Sequence, residues 1–291
     1  MKQKAIKLWQ LITSQEFQIL PGNIAYSFCV SIVPIISIII YLLSSFNISS
    51  GVINKAILEV VPKTLIDFVK PVLTTDGSAT QIFTLAFSIF VITNGCNTII
   101  ATSDEVFEIE NKIDIKRIVK SMILAILMIL LLAFILIVPL FGKSIINLVG
   151  VFIPFVSQNE VIISELYVLL QWPVSLLVVY FAIKLIYVIA PDDKIKGKYV
   201  TKGAAFTTIA WLLATVIFSA YINNINTYDL IYGSLANVVI LLFWLYILAY
   251  IFVIGLFLNR RSTDIAKDTT NKIALNEIRK KVLENQKNKE K

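Results

Sequence analysis

The chain has 291 residues, of which 57% are hydrophobic and 15% are charged, and its formal net charge is +7. A soluble domain carries about 45–50% apolar and about 25% charged residues, so an ordinary soluble composition is excluded. The sequence contains no histidine, which excludes histidine acid–base catalysis, a Ser-His-Asp triad and histidine metal ligation.

Six apolar stretches are each long enough to cross a bilayer, because a membrane helix needs about 20 mostly apolar residues. The sequence therefore predicts an all-α polytopic membrane protein with six transmembrane helices. A membrane domain over residues 24–258 is flanked by an N-terminal segment, 1–23, and a charged tail, 259–291. The six predicted spans are Ile24–Phe46, Thr80–Ala101, Val119–Phe141, Leu166–Ala190, Ala204–Ile222 and Leu235–Leu258.

The basic residues are distributed unevenly between the two sides that these spans define. The N-terminus, the second and fourth connections and the tail hold 21 of the 26 Lys and Arg residues, and the other three connections hold four. The positive-inside rule places the basic set, and with it both termini, in the cytoplasm. Basic residues confined to short loops and ends set orientation, so the net charge does not indicate a nucleic-acid partner.

Three connections carry their own patterns. In Gly51–Leu73, apolar residues recur at three- and four-residue steps, which predicts an amphipathic helix at the outer interface. A shorter segment of the same kind covers Ile145–Phe155. The inner connection Ser103–Lys116 mixes acids and bases and is expected to be a solvated helical turn. The tail after Ile265 is expected to be either a helix on the inner leaflet or a disordered end.

Polar side chains inside the first two spans lie in their predicted cytoplasmic halves. Ser27 and Ser31 are four residues apart on one helix face, and Asn94, Asn97 and Thr98 form a patch on the second helix. Polar groups in lipid are costly, so their placement is informative. Ser27, Ser31, Asn94 and Asn97 are therefore candidates for lining an inward-facing polar cavity. Hydrogen bonding that only joins the helices is the alternative.

The sixth span begins with a second polar group, on the predicted outer side. Tyr232, Gly233, Ser234 and Asn237 are candidate cavity residues there. In a structural interpretation, Ser234 caps the helix N-terminus through its hydroxyl. In a functional interpretation, the exposed helix N-terminus binds an anionic headgroup or solute.

Lys184 is the one charge well inside a predicted span. Its long stem can carry the ammonium to the headgroups, and a buried ion site is the alternative. No acid lies at the same depth to pair with it, which weakens a proton-relay or cation-pump interpretation.

Several stretches along the chain together form a recognisable pattern. They are Ile24–Pro34, Asn97, Pro191 with its basic loop, Lys202–Ala204, Trp211, Phe218, Tyr221, and Tyr228–Asn259 with its Tyr232-Gly233-Ser234-Leu235 stretch. In order and spacing these stretches resemble the YihY/BrkB family of bacterial inner-membrane proteins, once mislabelled ribonuclease BN. The resemblance covers roughly residues 5–260 and departs from the family pattern at Phe257, where an acid is common, and after helix two, where an Arg is common.

The resemblance implies a six-helix protein of the bacterial plasma membrane but supplies no agreed activity. Three hypotheses follow: a transporter or lipid-translocating protein, a non-catalytic scaffold for envelope assembly, and a membrane enzyme. The third is the weakest, because neither a catalytic constellation nor an RNA-binding platform is visible in the residues. We expect membrane lipids as partners, a lipid or small molecule as substrate, no nucleic acid and no metal or organic cofactor. Substrate, coupling ion and oligomeric state stay open.

Overall fold

The computed structural model describes residues 15–45, 79–110, 114–152, 160–224, 236, 238–260 and 262–263. Every regular element among them is an α-helix, in agreement with the predicted all-α class. The predictions for Gly51–Leu73 and for the tail after Ile265 lie outside the described residues.

Six helices follow one another in the part of the chain that the structure describes. Five are long and apolar enough to cross a membrane, and in α4 the described apolar stretch is Pro173–Ile189 within a helix of 30 residues. This is consistent with the predicted six spans. The helices are α1 (Gln15–Ser45), α2 (Ala79–Phe107), α3 (Ile115–Phe152), α4 (Glu160–Ile189), α5 (Gly197–Asn224) and α6 (Val238–Arg260).

Most of the helices run past the apolar stretches that predicted them. Helix α1 begins at Gln15, inside the predicted N-terminal segment, and α2 continues to Phe107 through the start of the expected solvated turn. Helix α3 continues to Phe152, so most of the predicted outer segment Ile145–Phe155 belongs to α3. Apolar content marks where lipid begins, whereas a helix ends only where backbone or capping chemistry ends it.

The bundle is built around neighbouring helices in chain order. Helix α1 packs against α2 and α3, α2 against α3, α3 against α4, and α4 against α5. Helix α6 joins α4 and α5 through hydrogen bonds that bury polar atoms between them. One apolar core therefore extends from α1 to α6, with Ile24, Ile99, Leu124, Ile183 and Leu256 among its buried residues.

The contact between α4, α5 and α6 is centred on Tyr187. Its fully buried hydroxyl donates to the Phe252 carbonyl at 2.8 Å and lies 2.7 Å from Thr207 Oγ1. Since that hydroxyl has one proton, Thr207 is the donor in the second bond. Gly255 lies against the same two side chains, and a Cβ there would collide with both. The three helices can approach this closely only because residue 255 has no side chain.

Candidate functional site

Helix α2 ends in a turn that brings its last residues against three other segments. The Ile109 amide donates to the Asp104 carbonyl and the Glu108 amide to the Glu105 carbonyl, which is the pairing of a Schellman cap. Glu108 takes the left-handed conformation at the position where glycine is usual, with φ of 55°. The Arg260 side chain, from the end of α6, pairs with the Glu108 carboxylate and donates to the Val106 carbonyl at 3.0 Å.

Asp104, in the last turn of α2, is fully buried. The expectation of a solvated turn over Ser103–Lys116 is therefore wrong at this residue, although Glu105 and Glu108 are exposed. One carboxylate oxygen accepts from the Asp192 amide at 2.8 Å, and the other lies 3.5 Å from Arg117 Nη1. A buried carboxylate needs such partners, because an isolated charge is very costly away from water.

Two further charges extend this pair to the end of α4. The Lys120 ammonium lies 2.7 Å from the Asp192 carboxylate and donates to the Pro191 carbonyl at 2.8 Å. It thereby satisfies a carbonyl just past the C-terminus of α4, where positive charge is favoured. We refer to Asp104, Arg117, Lys120 and Asp192 as the charge cluster. Its two positive and two negative side chains balance, and it joins α2 and α3 to the loop between α4 and α5.

A pocket of about 490 Å³ lies beside the charge cluster, between α2 and α3. We refer to it as the α2–α3 pocket. Arg117 belongs to both features, because its Nε donates to Asn97 Oδ1 at 2.8 Å while its Nη1 faces Asp104. The eight residues that line the pocket are Phe90, Thr93, Asn94, Asn97, Ala101, Arg117, Ile118 and Ser121.

The structure divides the four predicted cavity residues of the first two spans into two pairs. Asn94 and Asn97 line the α2–α3 pocket. Ser27 and Ser31 instead lie between α1 and α2, where Ser27 Oγ is 2.9 Å from Thr98 Oγ1. Ser27 thus makes the interhelical hydrogen bond that was the alternative prediction. Whether any of the four acts in function stays a prediction.

Ser31 occupies a tight crossing of α1 and α2. It is buried, and its hydroxyl has no hydrogen-bond partner among the described residues. A Cβ on Gly95 would lie only 2.5 Å from that hydroxyl, so the absence of a side chain at 95 lets the helices meet. The other candidate group, Tyr232, Gly233, Ser234 and Asn237, lies outside the described residues, and both interpretations of it stay predictions.

Sequence reasoning did not single out the charge cluster, although one signal for it was present. Asn97, Ala101 and Asp104 are spaced by four and three residues, so they share one face of α2. The polar stripe that begins at Asn94 therefore continues to a carboxylate near the helix end. Arg117 and Lys120 are three residues apart on α3 and give the facing stripe of opposite charge.

Comparison with known proteins connects this bundle to a family. Residues 8–276 match the model of the family described as Virulence factor BrkB. The chain belongs to the Virulence factor BrkB family. This family assignment confirms the resemblance found in the sequence and, together with the apolar helices, identifies a membrane protein.

Three similar proteins carry two kinds of name, ribonuclease-like protein and membrane protein. The ribonuclease-like protein YfkH of Bacillus subtilis is 26% identical over 254 residues, covering 86% of this chain and 91% of its own length. A UPF0761 membrane protein of Vibrio atlanticus is 28% identical over 257 residues, covering 84% of this chain and 77% of its own. The UPF0761 membrane protein VP0125 of Vibrio parahaemolyticus is 32% identical over 100 residues, covering 34% and 32%. No solved structure gives a significant match.

Proposed function

We propose that this BrkB-family protein moves a lipid or a small molecule across the membrane, and that the α2–α3 pocket binds what is moved. The observation that carries the proposal is the lining of that pocket. Two amides, two hydroxyls and a guanidinium converge on a space between two helices that are long and apolar enough to span a bilayer. Polar and ionisable groups at membrane depth are expensive, and they commonly mark a substrate pathway.

The size and composition of the pocket support a ligand of small-molecule dimensions. Ligand sites are typically concave spaces of about 300–1,000 Å³ with mainly apolar walls and a few converging polar groups. The α2–α3 pocket fits this description, because Phe90, Ala101 and Ile118 supply apolar wall between the polar side chains.

The proposed setting is the bacterial plasma membrane, with both termini in the cytoplasm. The support is the excess of Lys and Arg in alternate connections. In this orientation the charge cluster and the neighbouring end of the α2–α3 pocket face the cytoplasmic leaflet. The pocket is then positioned to exchange its ligand with that leaflet or with the cytoplasm.

The test uses purified full-length protein in vesicles, with protein-free vesicles as reference. One arm follows the transbilayer distribution of labelled phospholipids, and a second follows the release of a panel of small solutes. The Asn94→Phe variant fills the pocket with a bulky ring, while the Thr215→Phe variant places the same ring on an exposed position of α5.

The proposal predicts that wild-type protein and Thr215→Phe accelerate redistribution of at least one probe, and that Asn94→Phe does not. Wild-type protein that changes no probe over a broad panel would contradict it. A third arm incubates the same preparation with RNA. Hydrolysis of RNA that scales with the protein concentration and survives Asn94→Phe would favour an enzyme in place of a transporter.

A further inference from the structure

The lining of the α2–α3 pocket is graded from one end to the other. Ala101 lies one and a half turns from the end of α2, whereas Phe90 lies eleven residues earlier, about 16 Å deeper at 1.5 Å per residue. Arg117 is the third residue of α3 and reaches Asn97, so the cation lies toward the shallow end of the pocket. Phe90 forms the deep apolar end, and the amides and hydroxyls lie between.

The shallow end has the chemistry of an anion site. A guanidinium offers several N–H groups in a planar fork that matches phosphate oxygens. Asn94 and Asn97 add amide groups that can donate to the same oxygens. The Ser121 hydroxyl donates to the Arg117 carbonyl at 3.0 Å, so it contributes only an acceptor to the lining. None of the eight described lining residues is acidic. Asp104 pairs with Arg117 without lining the pocket, so no carboxylate of the described residues belongs to the lining.

The apolar deep end, formed by Phe90, offers no side-chain hydrogen-bond donor to an anion, but it can pack against an acyl chain. The Phe90 side chain is 63% exposed and belongs to a helix of spanning length. In a membrane, such a side chain meets lipid tails. The pocket therefore offers a phosphate-binding group near headgroup depth and an aromatic wall at acyl depth on the same face. That order matches a phospholipid and not a free phosphate or a soluble metabolite.

We propose that the α2–α3 pocket binds a phospholipid with a net negative headgroup, its phosphate at Arg117 and one acyl chain along Phe90. This inference deepens the proposed function, and its relevance to transport rests on that function. Lipid binding does not depend on transport, because a lipid can occupy the pocket whether or not the protein moves it.

Binding is measured by native mass spectrometry on the full chain, delipidated in detergent and titrated with one lipid at a time. The lipids are phosphatidylglycerol, phosphatidylethanolamine and diacylglycerol, and inorganic phosphate is added as a competitor. Asn94→Phe blocks the pocket without touching the charge cluster. The double variant D104N/R117Q removes the cation without leaving a buried carboxylate unpaired. Thr215→Phe is the control outside the pocket.

The proposal predicts that phosphatidylglycerol binds wild-type protein and Thr215→Phe alike. Asn94→Phe and D104N/R117Q should each weaken that binding by about tenfold or more, the scale of one charge-assisted hydrogen bond. Phosphatidylethanolamine and diacylglycerol should bind more weakly, and inorganic phosphate at the same concentration as the lipid should not displace phosphatidylglycerol.

Equal binding of all three lipids, or phosphatidylglycerol binding that is unchanged in both pocket variants, would overturn the proposal. Displacement by inorganic phosphate at the same concentration as the lipid would also overturn it, in favour of a soluble anion. Lipid binding at the pocket without transbilayer movement in vesicles would retain this inference and contradict the proposed function. Transbilayer movement of a probe without phosphatidylglycerol binding at the pocket would contradict this inference and retain the transport activity of the proposed function.

Discussion

The pairing of Asp104 with Arg117 makes a graded prediction for stability. Both side chains are at least nine-tenths buried, and Asp104 also accepts from the Asp192 amide. Asp104→Asn keeps an acceptor for that amide but leaves Arg117 without its carboxylate, which costs about 3–5 kcal/mol. Asp104→Ala additionally leaves the amide unsatisfied, for about 1–3 kcal/mol more. The double variant D104N/R117Q removes both charges and should return to within about 1 kcal/mol of wild type.

Thermal unfolding in lipid nanodiscs measures this series, with Glu105→Gln as the control. Glu105 is the exposed neighbour on the same turn, so its variant should unfold like wild type within about 0.5 kcal/mol. At about 2–4 °C per kcal/mol for a chain of about this size, Asp104→Asn should lower the midpoint by about 10 °C and Asp104→Ala by more.

The order of the unfolding midpoints shows whether Asp104 and Arg117 are coupled. If D104N/R117Q is no more stable than Asp104→Asn, the two charges are not coupled and the pairing inferred from the structure is wrong. If Asp104→Asn unfolds like Glu105→Gln, then Asp104 is solvated, as the sequence first suggested.

Three further predictions concern the packing of the bundle; two are read by the same unfolding assay and one by the yield of monodisperse protein. Tyr187→Phe removes the second donor to the Phe252 carbonyl and leaves the buried Thr207 hydroxyl without its acceptor, so it should cost about 1–3 kcal/mol; an unchanged midpoint would contradict this hydrogen bonding. Gly255→Ala forces α6 away from α4 and α5 and should reduce the yield of monodisperse protein, whereas Gly22→Ala, with open space around it, should not; equal yields would contradict the close approach of the helices. Glu108→Val should destabilise the protein by about 1–2 kcal/mol, since a β-branched residue is strained in the left-handed region. Glu108→Gly relieves the backbone strain but loses the partly exposed ion pair with Arg260, so its stability should be nearly that of wild type. The reverse order for these two variants would contradict the cap geometry.

The helical class and the approximate positions of the spans follow from composition alone. A run such as Met122–Leu140 can satisfy its backbone in lipid only by forming a helix, so hydropathy finds it directly. The ends of the helices do not follow in the same way. Helix α2 runs six residues past its predicted end because its stop signal is a Schellman turn at Glu108, and glutamate is an unusual residue there.

The candidate site could be predicted only in part. Asn94 and Asn97 stand out in the sequence because polar side chains are rare in a span, and the structure places both at one pocket. Arg117 and Asp104 could not be paired by the same reasoning, since each looks like an ordinary loop charge. Their burial depends on how α2 and α3 pack and on where the loop after α4 lies, which are long-range features that local spacing does not encode.

The most direct test of the account is the side of the membrane on which the charge cluster lies. Single cysteines at Glu105 and at Asn54, in a chain with Cys29 and Cys96 replaced by alanine, are treated with a membrane-impermeant maleimide in spheroplasts. With both termini in the cytoplasm, the cysteine at 54 should be labelled in intact spheroplasts, and the cysteine at 105 should be labelled only after the membrane is permeabilised. Labelling of both positions in intact spheroplasts would contradict the proposed orientation and, with it, the access of the pocket to the cytoplasmic leaflet.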